Sequence, residues 1–243
     1  MREVVYVHKL VKIYKGGIRA LDGISFSVRR GEIFGIIGPN GAGKTTTLRI
    51  LATLLRPTSG IVKVYGYDVI KEARKIRELI GYLPEEAGAY KNLTGIEYLR
   101  FNASFYAKDE KDLKDTIKRG MEISGLGERL HDKIKTYSKG MLRRLLIART
   151  LMIKPKLALL DEPTSGIDVS HAFFIRKTIR EYSLKYNTTI VVSSHNMLEV
   201  EYLCDRVCIL NKGRILVKGS PSELKKKYQA SNLEEVFVKV ARL

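Results

Sequence analysis

The stretch GPNGAGKT, residues 38–45, constrains this chain more than any other. It follows a short apolar run, GEIFGII (31–37), and leads into KTTTLRILATLL (44–55), which has helical spacing. A strand that turns abruptly through glycines into a helix is a device for surrounding phosphate. Gly38, Gly41 and Gly43 let the backbone curl into a nest whose N–H groups face inward, with Pro39, Asn40 and Ala42 completing the loop. Lys44 reaches the β- and γ-phosphates of a triphosphate. Thr45 offers its hydroxyl to Mg²⁺, and Thr46 can hydrogen-bond a phosphate oxygen.

A cradle alone cleaves nothing; it needs a metal-holding carboxylate and a group to handle the attacking water. LALLDEPTSGID (157–168) supplies both. Asp161 ends an apolar strand, so it is expected to project from the sheet edge beside the cradle and hold Mg²⁺. Glu162 follows at once, placed to orient or deprotonate water. His195 ends TTIVVSSH, a strand predicted to lie beside the catalytic one. Its imidazole could hydrogen-bond the γ-phosphate region and position both water and Glu162.

Around these residues the chain alternates. VVYVHKL (4–10), ISFSV (24–28) and IVKVYG (61–66) read as strands, with KGGIRAL turn-like between the first two. From about 86 to 151 the pattern is helical and heavily charged, broken at KNLTG and SGLGERLHDK, and looks like a helical lobe inserted between strands. KLALLD (156–161) and TTIVVSS (188–194) are buried strands separated by a helix over 169–186. NMLEVEYLC is a further helix, and 206–219 reads as a hairpin turning at Asn211–Gly213. Strands alternating with helices imply a largely parallel α/β sheet. The expected division is a main domain over 1–220 and a basic helical tail over 221–243.

The net charge of +18 points to an anionic partner, whether nucleotide, nucleic acid or an acidic membrane face, and charge alone cannot choose among them. No run approaches the ~20 apolar residues of a spanning helix. The N-terminus lacks a signal-peptide pattern, so the chain reads as cytoplasmic. Cys204 and Cys208 make no disulfide framework, and no nearby His or Cys completes a zinc site.

One short stretch remains: YSKGM (137–141), a small polar segment that opens a helix and so is a second, weaker anion site. Taken in order, GPNGAGKTT, GYLPEE, YSKGM, LALLDEP, SGID and SSH resemble the nucleotide-binding subunit of an ATP-binding cassette (ABC) transporter, from about Val4 to Gly219. The resemblance implies an α/β P-loop NTPase (RecA-like) core with an N-terminal antiparallel β subdomain and an inserted α-helical subdomain. It implies ATP and Mg²⁺ as cofactors. It also gives YSKGM a role, since in this family its counterpart closes over the ATP of a second cassette. Ser138 and Gly140 match the family's Ser and second Gly, whereas Tyr137, Lys139 and Met141 depart from its Leu, Gly and Gln.

By the same resemblance Tyr14 stacks on adenine, and Ser165 to Asp168 link the two sites across the dimer. Glu85 stands where the family has Gln, near Mg²⁺ and the attacking water, and joins Thr45 and Asp161 as a metal-side residue. The implied partners are a second ABC subunit, expected as a homodimer, and a separate integral membrane permease docked beside Glu85 near AYKNLTGIEYLRF. The chain would then be peripheral on the inner face of the cell membrane. YLPEE resembles the exporter-type form, including drug- and sodium-extrusion cassettes. The alternative is a soluble ABC-type ATPase acting on nucleic acid or ribosomes. The helical lobe is too short for a chromosome-maintenance coiled coil, and one set of motifs does not fit two-cassette translation factors, so no nucleic acid is expected.

Overall fold

The computed structural model describes residues 3–241. Two long strands, β1 (Glu3–Ile13) and β2 (Arg19–Arg29), precede β3 (Ile33–Ile37), which runs through the glycine loop into α1 (Lys44–Leu51). β4 (Ser59–Val64), β5 (Tyr67–Asp68), α2 (Ala73–Arg77) and β6 (Ile80–Leu83) follow. The helices α3 (Gly95–Ala103), α4 (Glu110–Ser124) and α5 (Lys139–Leu151) come next. The second half alternates through β7 (Leu157–Asp161), α6 (Val169–Tyr186), β8 (Thr189–Ser194), α7 (Met197–Leu203) and β9 (Arg206–Asn211). It closes with β10 (Arg214–Gly219), α8 (Pro221–Tyr228) and α9 (Leu233–Ala241).

The strands form two sheets. The larger has the order β10-β9-β3-β8-β7-β6 and is parallel except where β10 returns beside β9. The smaller, β2-β1-β4-β5, is antiparallel throughout. Every residue of β3, β7 and β8 is buried, as unbroken apolar strands in a sheet covered on both faces require. Side chains alternate between two cores. Phe34, Ile36, Leu157, Leu159, Val191 and Cys208 face the antiparallel sheet and α1. Ile33, Ile37, Ala158, Leu160, Ile190 and Val192 face the helices that follow β6. Phe26 and Phe34 stack at 5.4 Å between the two sheets. The architecture is the α/β core, antiparallel sheet and helical region expected from sequence.

Several local readings change. The turn expected over KGGIRAL is shorter, because Arg19 and Leu21 already pair with β1. β6 was not legible as a strand: IGYL is four residues long and interrupted by Gly81. It matters, because β6 pairs with β7 and makes β7 an inner strand. Asp161 therefore leaves the sheet at the carboxyl end of an inner strand, with its side chain hydrogen-bonded to Thr45 of the cradle. In the tail, α8 and α9 are both helical, and Leu233 and Val236 of α9 are buried. Arg242 and Leu243, at the end of LEEVFVKVARL, lie outside the described residues. Cys204 and Cys208 are buried free thiols, and burial pushes both well above the usual thiol range.

Candidate active site

Ligands bind at the carboxyl ends of parallel strands, and here β3, β7 and β8 deliver their next residues to one place. β3 ends at the glycine loop. Gly38, Gly41 and Gly43 all have positive φ, at 155°, 77° and 107°. A Cβ at Gly38 would meet the Leu210 carbonyl at 2.1 Å, and one at Gly43 would meet Leu21 Cδ2 at 2.6 Å. Only glycine fits either position. Gly43 is the N-cap of α1 and offers no side chain, so the first-turn N–H groups of α1 remain available to an anion.

Asn40 to Thr46, Ala20, Glu85 and Glu162 line a cavity of 430 Å³ over this loop. Lys44 is buried, with Nζ donating to the carbonyls of Gly38 (2.8 Å) and Pro39 (3.3 Å). It also lies 3.2 Å from Glu162 Oε1, at ion-pair distance but without hydrogen-bond alignment. Tyr14, one residue past β1, has its hydroxyl 3.2 Å from Thr46 Oγ1, which sets its ring beside the cradle.

Asp161 is fully buried. Its Oδ1 accepts from Ser193 Oγ (2.5 Å) and Thr45 Oγ1 (3.2 Å), while Oδ2 is buried without a partner. Burial raises its pKa, and the two hydroxyl donors partly oppose this. An unpartnered carboxylate oxygen beside a threonine hydroxyl, with Glu85 in the same cavity, is a hard-oxygen set that suits Mg²⁺.

Glu162 follows with φ at 47°, a left-handed conformation that costs a non-glycine residue about 1–3 kcal/mol. Its amide is held by Ser193, donating to both the carbonyl (3.2 Å) and Oγ (3.0 Å). Glu162 Oε2 accepts from His195 Nδ1 at 2.8 Å. Because a carboxylate only accepts, this contact puts the ring proton on Nδ1. Ser193 thus fixes Asp161 and Glu162 together, a role the sequence reading did not assign. Its signal was a buried serine closing the strand after the apolar run Ile190–Val192.

Ser138, Gly140 and Asp168 form a separate group, and none of them lines the cradle cavity. Ser138 caps α5, accepting from the Met141 amide at 3.2 Å. Asp168 caps α6 through the His171 amide at 3.0 Å, and hydrogen bonds from Ser170 and His171 lower its pKa to about 2. The two helix starts touch, since a Cβ on Gly140 would come 1.6 Å from His171 Cδ2.

A family model described as ABC transporter matches residues 21–165, more than half of the chain. The chain belongs to the ABC transporter family. This cassette is 41% identical over 204 residues to the linearmycin resistance ATP-binding protein LnrL of Bacillus subtilis, spanning 84% of this chain and 65% of that protein. It is 37% identical to the bacitracin transport ATP-binding protein BcrA of Bacillus licheniformis, over 93% of this chain and 73% of that protein. Among solved structures it resembles the ATP-binding cassette MJ0796, a dimer in a post-hydrolysis state bound to ADP and Pi. That likeness has a TM-score of 0.80 at 26% identity, covering 89% of this chain and 98% of that one.

Proposed function

We propose that this ABC cassette hydrolyses ATP as one half of a two-cassette engine that drives a separate membrane permease. The observation that carries the reading is that Lys44, Thr45 and Glu162 line one cavity, with Asp161 hydrogen-bonded to Thr45 and His195 to Glu162, while Ser138, Gly140 and Asp168 stand outside it. Each cradle then lacks a lid that a second chain's Ser138 and Gly140 supply. The dimeric, ADP- and Pi-bound state of MJ0796 supports that arrangement. The expected pairing is of two copies of this chain.

Within one site, Lys44 exchanges its carbonyl and Glu162 contacts for the β- and γ-phosphates. Tyr14 stacks against the base. Thr45 and Asp161, with Glu85 nearby, would hold Mg²⁺, which would supply positive charge to offset that of the phosphates. Glu162, aimed by His195, takes the proton of the attacking water. Loss of the γ-phosphate removes the contact to Ser138 and reopens the dimer.

No helix among the described residues is long and apolar enough to cross a membrane, and we assign the channel to a separate permease. Tyr90, Phe101 and Phe105 form an exposed aromatic ridge five residues and more past Glu85, linked by edge contacts at 5.6 Å (Tyr90–Phe101) and 5.1 Å (Phe101–Phe105), and Tyr106, next in sequence to Phe105, is exposed as well. A patch of this kind marks a docking site, and we assign it to the permease's cytoplasmic helix. On this reading the chain sits on the inner face of the membrane, with its +18 charge near anionic lipid. The resistance and transport names of LnrL and BcrA support an exporter.

Phosphate release from ATP by the purified chain tests the reading. The rate per chain should rise with protein concentration, as a dimer requires, and vanish when EDTA removes divalent ions. A rate independent of concentration would remove the shared-site reading.

A further inference from the structure

α5 starts at the Ser138 cap and Gly140, and one turn later it sends Arg143 inward. The Arg143 guanidinium is 7% exposed and donates to five backbone carbonyls. Nε reaches Pro163 (3.0 Å). Nη1 reaches Pro84 (3.2 Å) and Glu85 (3.0 Å). Nη2 reaches Asp161 (2.6 Å) and Glu162 (2.7 Å). These carbonyls belong to two segments, the loop after β6 that carries Glu85 and the end of β7 with its following loop, which carry Asp161 and Glu162.

Desolvation lowers the pKa of Arg143, and the nearby Asp161, Glu85 and Glu162 carboxylates oppose that. Yet its hydrogen bonds go to carbonyls only. A buried cation is costly where packing alone is wanted, because an apolar side chain fills the same space more stably. What an apolar side chain cannot do is hold two segments and a helix in one fixed fork.

We propose that Arg143 is a positioning residue that couples the half-site at the start of α5 to the hydrolytic carboxylate of its own chain. A shift of α5 when Ser138 and Gly140 engage the partner's nucleotide carries Arg143 with it. The fork then moves the backbone of Glu85 and Glu162 together. Hydrolysis in one cradle is thereby made conditional on engagement of the other. The inference rests on the shared-site reading above.

The test is steady-state ATP hydrolysis by Arg143→Met and Arg143→Lys, beside nucleotide binding and circular dichroism. Folded Arg143→Met should bind ATP within twofold of the parent, lose about 10²-fold in kcat as misplaced catalytic groups do, and lose cooperativity in ATP. Arg143→Lys, with three donors where arginine has five, should recover part of both. A merely structural role would lower thermal stability and leave the folded fraction with parental kcat and cooperativity, which overturns the proposal. So would a rise in KM at unchanged kcat. If Arg143→Met does not fold, the same readings on Arg143→Lys decide. If the parent chain itself hydrolyses without cooperativity or dimer formation, the shared-site reading fails, and this proposal with it.

Discussion

Glu162→Gln should do two opposite things at once. The side chain is 5% exposed, with Lys44 Nζ at 3.2 Å and His195 Nδ1 at 2.8 Å. At an effective dielectric of about 20, a unit pair at that lysine distance attracts by about 5 kcal/mol before desolvation is subtracted. The net worth of a hydrogen bond or pair involving a charge is about 1.5–3 kcal/mol. An incoming triphosphate must break that pair to recruit Lys44. The amide relieves the competition, so ATP should bind up to roughly 10- to 100-fold more tightly. It also cannot take a proton from water, so hydrolysis should fall by about 10²- to 10⁴-fold. The two effects together should trap an ATP-bound dimer. A fluorescent ATP analogue titrated into both proteins gives the affinities, single-turnover mixing gives the chemical step, and gel filtration with ATP gives the dimer. Hydrolysis at the parental rate would remove Glu162 as the base. Weaker binding than the parent would show that Glu162 helps hold the lysine for phosphate and does not compete for it.

Asp161→Asn should abolish Mg²⁺-dependent hydrolysis while raising the melting temperature of the nucleotide-free chain. The folded state raises the Asp161 pKa above its unfolded value, so the native chain binds more protons between the two, and stability falls as pH rises through that window. The gain from Asn should therefore be full above the window and shrink as pH is lowered into it, as thermal melts at several pH values would read; a gain that grows with acidity would contradict the sign. Gly140→Ala should lose about 1–3 kcal/mol to overpacking against His171 and lower hydrolysis, and adding His171→Ala should restore both. No recovery in the double variant would show that His171 is not what confines this position.

The cradle was readable because its chemistry is local. A nest needs glycines at fixed spacing, and a parallel strand buried on both faces needs an apolar run, so β3, β7 and β8 were visible in sequence. What failed to show depends on tertiary placement. β6 is four residues with a glycine inside, and only its pairing with β7 makes it a strand. The left-handed turn at Glu162 occurs at a residue type that gives no warning of it. Arg143 left a trace: it shares a helix face with Gly140, Leu146 and Ile147, all buried, and an arginine on an apolar stripe needs partners. Which partners it takes could be seen only once two distant segments were brought together. The second group, Ser138, Gly140 and Asp168, shows the converse. Its local structure is a pair of ordinary helix caps, and its functional reading comes from the family and not from any contact within one chain.

The exposed rings at the aromatic ridge also bear on the chain's life in a cell. Tyr90, Phe101, Phe105 and Tyr106 are each at least 43% exposed, so on the docking proposed above a copy made without its permease would display a sticky face until one arrives. Surplus copies would self-associate or be cleared by proteases, and abundance would track the partner's supply and not the chain's own rate of synthesis. Producing both polypeptides in matched numbers, close together in time, is the arrangement that such a surface rewards.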